Sequence, residues 1–133
     1  MPSMPWTATQ HIDRDRHYLV MATRSRITSR RHLPPMIAAT QTLWAGLAAT
    51  GGLLGYSMRA DLIKATLATL TVWQDPASLA AFVRAEQHAT VVAATRHWMR
   101  DSAFANWSAA GAELPPQWAT ADRHLDATRA ARP

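Results

Sequence analysis

Leu53-Leu-Gly-Tyr-Ser-Met-Arg-Ala-Asp-Leu-Ile-Lys-Ala-Thr-Leu-Ala-Thr-Leu-Thr-Val-Trp-Gln-Asp-Pro76 holds two strands and the start of a helix. Leu53 to Ala60 reads as one strand and Asp61 to Lys64 as a turn. Ala65 to Trp73 reads as the next strand. It carries Thr66, Ala68, Leu70 and Val72 on one phase and Leu67, Thr69, Thr71 and Trp73 on the other. Strands this close in sequence predict a hairpin. Asp75-Pro76 then opens a helix, because an aspartate accepts a backbone N–H at the N-cap and proline fits the first helical position.

Working outward, His17 to Thr28 reads as a strand with apolar residues on both phases at its start, which predicts a central strand covered on both faces. Ser29 to Pro34 is a basic loop. Pro35 to Ala49 follows as a helix with the stripe Met36, Ile37, Leu43, Trp44 and Leu47, stopped by Gly51-Gly52. After Asp75 the helix turns Leu79, Phe82 and Val83 inward, pauses near Gln87 and continues from His88 to Arg100 along Val91, Val92, Thr95 and Met99. Phe104 to Ala109 is a short fourth strand. Gly111 to Pro116 is a loop, and a last helix runs from Pro116 to about Ala127. Residues 1–16 read as an irregular lead-in, 17–127 as a single domain and 128–133 as a flexible tail.

The order β-α-β-β-α-α-β-α predicts an α+β, ferredoxin-like βαββαβ domain with an extra C-terminal helix. Its antiparallel sheet would carry helices on one face. The other face would then be bare apolar sheet, which a second copy would cover in a two-fold homodimer.

The 133 residues suffice for one domain with a real core, and 48% of them are hydrophobic. There is no cysteine, so disulfides, thiolate metal sites and thiol catalysis are excluded. Met1 to Arg16 lacks the apolar core of a signal peptide, and a cytoplasmic location is expected. The uncharged stretch Leu33 to Met58 is broken by prolines and glycines, so it predicts a helix, a turn and a strand and no membrane span. The net charge of +5 comes from thirteen arginines and one lysine, scattered apart from Arg24, Arg26, Arg30 and Arg31 and the tail pair Arg129 and Arg132. Without a continuous basic stripe or a motif, neither nucleic acid nor membrane is expected as a partner. No His-x-x-x-His, Gly-x-Ser-x-Gly turn or phosphate loop occurs, so no metal site is expected.

Gly51-Gly-Leu-Leu-Gly-Tyr-Ser-Met-Arg-Ala, Thr69-Leu-Thr-Val-Trp73-Gln-Asp75, Leu79-Ala-Ala-Phe82 and Glu86-Gln-His88 together resemble the antibiotic-biosynthesis-monooxygenase-like dimeric α/β-barrel superfamily. The likeness is greatest to its poorly characterised bacterial members and weaker to the spheroidene-monooxygenase branch. Phe104-Ala-Asn-Trp107 and Pro115-Pro-Gln-Trp118 add to it, so it covers roughly Tyr18 to Leu125. The resemblance implies a pocket between sheet and helices. It also implies a monooxygenase-like oxidoreductase acting on an aromatic or polyene molecule, in secondary metabolism. Members include cofactor-free oxygenases, haem-binding proteins and proteins of no known activity, and kinship of fold does not transmit function.

His88 is the candidate catalytic base, since imidazole takes a proton near neutral pH. It is also the candidate axial ligand if haem binds, although the ligand histidine of haem-degrading relatives lies further along the second helix. The structural reading is a core or capping histidine. Trp73, Tyr56, Trp44, Phe82 and Trp98 are candidate pocket walls or, on the plainer reading, core aromatics. Arg59 is a candidate anion contact or a solvated strand-end arginine, on the opposite face from Tyr56. His97 is out of phase with His88 and reads as solvent-facing. The expected function is a small monooxygenase-like enzyme, most simply without a cofactor. The alternatives are a haem-binding protein and a non-catalytic dimeric ligand-binding module.

Overall fold

The computed structural model describes residues 6–47 and 52–130. In chain order the elements are β1 (Thr7–Ala8), β2 (His17–Ile27), α1 (Leu33–Leu47), β3 (Leu53–Asp61), β4 (Thr66–Trp73), α2 (Pro76–Arg84), α3 (Glu86–Thr95), β5 (Met99–Ala110) and α4 (Trp118–Ala130). The strands form one antiparallel sheet in the order β1-β3-β4-β2-β5. Apart from the short β1 at one edge, this is the ferredoxin-like arrangement, with α1 and the α2–α3 pair as the two helical crossovers.

Alternation divides the side chains between two layers. On one face Leu53, Met58, Leu67 and Trp73 pack beneath Leu33, Met36 and Trp44 of α1. On the other face Tyr18, Val20, Ala22, Leu70 and Val72 pack beneath Ala121 and Leu125 of α4. These seven residues are at most 7% exposed within the single chain. The expectation of a bare face left for a second copy is therefore corrected. Helix α4, Ile12 of the lead-in and Trp6 cover it. Trp6 lies so close over Gly55 that any side chain there would run into its indole.

Other expectations shift at element ends. The lead-in is not wholly irregular, because Thr7 and Ala8 pair with Tyr56 and Gly55. The break between α2 and α3 falls at Ala85, whose backbone is extended. Helix α3 ends at Thr95, not at Arg100. A short tight turn, Arg96–Trp98, follows, and the last strand then begins at Met99. Pairing decides this: Met99 and Arg100 sit opposite Ile27 and Arg26, so partners on β2 override the helical spacing of Val92, Thr95 and Met99. Thr128 to Ala130 continue α4 where a tail was expected. The expected end of the first helix at Ala48 and Ala49, the cap residue Gly51, and residues 1–5 and 131–133 lie outside the described residues. Gly52 has a positive φ of 89°.

Candidate functional site

A line of rings runs through the layer between the sheet and helices α1 to α3. Trp44 of α1 lies 4.6 Å from Tyr56 of β3. Tyr56 stands opposite Thr71 of β4, and Thr71 accepts a 2.8 Å hydrogen bond from the Trp73 indole N–H. Trp73 is 5.0 Å from Phe82, and Phe82 meets the edge of His88 at 4.6 Å. Five of the expected site residues, Trp44, Tyr56, Trp73, Phe82 and His88, thus share one continuous layer. Trp44 and Trp73 are buried and Trp73 spends its N–H inside the chain, so Trp73 forms the floor of the layer and Trp44 covers it from α1.

His88 is half-buried, and its Nδ1 lies 3.2 Å from the Val83 carbonyl. A carbonyl only accepts, so in this bond Nδ1 is the donor and Nε2 is not engaged by it. The helices above the rings are lightly anchored. No side chain of α2 is fully buried, and Val83 and Val92 are 48% and 38% exposed. What fixes the start of α2 is Asp75. Its carboxylate accepts from the Ser78 backbone N–H and hydroxyl, both at 2.8 Å, and these bonds hold its pKa below the usual carboxylate value.

Sequence reasoning missed an open strip beside this layer. Helix α1 lies against β3 and α2 against β4. On the same face of β2, Leu19, Met21 and Thr23 remain half-exposed. On β5, Phe104, Asn106 and Ser108 are exposed, with Phe104 at 54%. The register sets Leu19 between Trp73 and Ser108, Met21 between Thr71 and Asn106, and Thr23 between Thr69 and Phe104. The strip thus continues the aromatic floor outward and carries no charged side chain. Only the crossover geometry shows which strands the helices leave open, so no local signal pointed to it.

Arg59 lies on the other face, and Trp98 packs against the same helix-side core but outside the line of rings. Trp98 follows α3 at the far end of the sheet, where its carbonyl accepts from Thr28 and its ring stacks on His32 at 4.8 Å. Trp73 stands opposite Leu19, so the two tryptophans are roughly 30 Å apart along β2. Arg59 points to the α4 side, as its phase predicted. There it donates to Asp122 at 2.6 Å and lies over the Trp118 ring. Arg24 donates to Asp126 at 2.9 Å beside it. A cleft of about 860 Å³ opens next to these pairs, lined among others by Arg24, Arg59, Asp122 and Asp126.

Phe82 occupies one edge of the His88 ring, with Trp73 behind it. Among the described residues no cluster of His, Asp and Glu could hold a metal ion.

From the first turn of α1 onward, residues 35–133 match the model of the family described as domain of unknown function DUF3291. The chain belongs to this family. No curated protein matches the chain. Solved structures do resemble this DUF3291 member. A candidate antibiotic biosynthesis monooxygenase from Caulobacter crescentus CB15 is 14% identical with a TM-score of 0.62, over 69% of this chain and 89% of that one. Another from Nitrosomonas europaea is 14% identical with a TM-score of 0.58, over 76% and 93%. A candidate monooxygenase from Lactobacillus acidophilus NCFM is 7% identical with a TM-score of 0.60, over 71% of this chain and 47% of that one. At such identities the likeness is one of fold. The DUF3291 chain has the α+β fold of the antibiotic-biosynthesis-monooxygenase-like superfamily, as its sequence resemblance implied.

Proposed function

We propose that this DUF3291 protein is a small monooxygenase-like enzyme that binds an aromatic or polyene molecule on the helix side of its sheet. The observation that carries the reading is the unbroken path from the open strip of Leu19, Met21 and Phe104 to the rings of Trp73 and Phe82, with His88 at its edge. An uncharged apolar floor with hydroxyl and amide groups along one rim suits a flat, weakly polar ligand.

His88 Nε2 takes a phenolic proton, which leaves the substrate electron-rich enough to reduce dioxygen without a cofactor. The balance closes for a substrate carbon bearing two hydrogens. That carbon becomes a carbonyl, one oxygen atom stays on it, and the other leaves as water with the two hydrogens. A positioned base contributes about 10²- to 10⁴-fold in rate. Oxygen uptake by the wild type and the His88→Ala variant tests this with a panel of phenolic substrates. Uptake that falls by such a factor while ligand binding persists supports it. Unchanged uptake removes His88 as the base, and binding without any uptake leaves a ligand-binding module.

A further inference from the structure

Three segments meet at the end of the sheet away from Trp73. The Ile27 N–H donates to the Ala65 carbonyl at 2.7 Å, and the Thr28 N–H donates to the Trp98 carbonyl at 2.8 Å. The close of β2, the β3–β4 turn and the entry to β5 therefore share one surface. It presents six exposed cations, Arg26, Arg30, Arg31, Lys64, Arg96 and Arg100, against two carboxylates, Asp61 and Asp101. The opposite end is mixed, with Asp13, Asp15, Asp75 and Glu113 beside Arg14 and Arg16.

The turn also carries the two most exposed large apolar side chains described, Leu62 at 56% and Ile63 at 87%. They are held out by local bonding. The Asp61 carboxylate accepts from the Ile63 and Lys64 backbone N–H groups at 3.0 and 3.1 Å, and Ala65 closes the turn at a φ of 51°. A fixed apolar pair on an end with an excess of exposed cations, Ile63 lying at the rim of a charge-balanced cleft, is the chemistry of a surface that enters an interface between water and hydrocarbon under anionic headgroups. The adjacent cleft does not suggest a small anion instead. Its lining is balanced, with Arg24, Arg26, Arg59 and Lys64 against Asp61, Asp101, Asp122 and Asp126. The excess charge sits outside it, on Arg30, Arg31, Arg96 and Arg100.

We infer that this end docks on an anionic membrane surface, with Leu62 and Ile63 entering the headgroup–acyl boundary and the cations facing the lipid headgroups. No described helix is long and apolar enough to cross a membrane, so the contact is peripheral. The inference does not depend on the proposed oxygenase chemistry, whose site lies at the other end of the sheet.

The full chain is sedimented with sucrose-loaded vesicles of phosphatidylcholine alone, or with roughly one-third phosphatidylserine. Pelleting is expected only with the anionic vesicles, with release near 1 M salt, where screening shrinks to about 3 Å. Leu62→Ser with Ile63→Ser weakens partition at least about tenfold. Arg30→Gln with Arg31→Gln weakens it roughly thirty-fold, at about 1 kcal/mol per charge near such a surface. All four positions are exposed, so unfolding curves should match wild type. A chain left in the supernatant with anionic vesicles overturns the inference. So does a Leu62→Ser/Ile63→Ser variant that pellets like wild type, including one that changes only the oligomeric state. Tighter binding of duplex DNA than of vesicles at equal salt, unmoved by that variant, overturns it as well.

Discussion

Arg59 of β3 and Asp122 of α4 meet at 2.6 Å across the gap between sheet and C-terminal helix, and Trp118, one turn earlier on α4, lies 4.6 Å from the same guanidinium. The Arg59 and Asp122 side chains are 20% and 34% exposed, and Asp122 also stands 3.8 Å from Arg24. Removing Asp122 leaves two partly buried cations facing one another. Asp122→Ala is expected to cost about 1–2 kcal/mol in urea unfolding. Asp126→Ala, at a side chain 68% exposed, should cost no more than about 0.5 kcal/mol. Equal costs would mean that the network does not hold α4.

Thr71 and Trp73 supply a second test, inside the ring layer. The indole N–H is buried and donates to the Thr71 hydroxyl. Thr71→Val orphans that donor and is expected to cost about 1–3 kcal/mol. In the double variant with Trp73→Phe the orphan is gone, so the combined loss should fall short of the sum of the singles. A double-mutant cycle from urea unfolding measures the difference.

Asp75 makes stability depend on pH in a stated direction. Its pKa in the folded chain lies below the unfolded value because Ser78 donates to the carboxylate from its side chain and its backbone. The unfolded state therefore binds the proton more readily. The contribution is fully present above the unfolded pKa of about 3.8 and is lost as pH falls through the folded value. Thermal unfolding of Asp75→Asn should show a smaller loss between neutral and acid pH than wild type does. An unchanged difference would show that the cap carries no pH dependence.

The open strip separates binding from turnover. Phe104→Ser alters an exposed side chain and should shift stability by no more than about 0.5 kcal/mol. It should weaken an aromatic ligand by up to about tenfold, the size of one ring–ring contact, in a tryptophan-fluorescence titration. His88→Ala should leave that titration nearly unchanged while slowing oxygen uptake. Loss of binding in His88→Ala with none in Phe104→Ser would place the ligand elsewhere.

What the chain states locally was readable. The alternation from Leu67 to Trp73 and the Asp75-Pro76 cap give β4 and the start of α2 to within a residue. The start of β5 was not readable, because Arg100, Asp101 and Ser102 carry no strand signal: Arg100 is recruited by pairing with Arg26, and Asp101 and Ser102 fall where the register shifts. The seat of α4 was hidden for a related reason. Among its described side chains only Ala121 and Leu125 are fully buried, and its charged anchors, Arg24 and Arg59, lie far away in sequence. Within the site, Trp73, Phe82 and His88 were legible as neighbours because one strand end and the two short helices that follow it carry them. Leu19, Met21 and Phe104 were not, since their exposure depends on which strands the crossovers leave uncovered.

Helix α4 lies over β2 and β5, and the chain thereby supplies the roof of its own second core. Folding then needs no encounter with another polypeptide. The melting temperature should stay constant when the protein is diluted a hundredfold, whereas an obligate pair would melt earlier with each dilution.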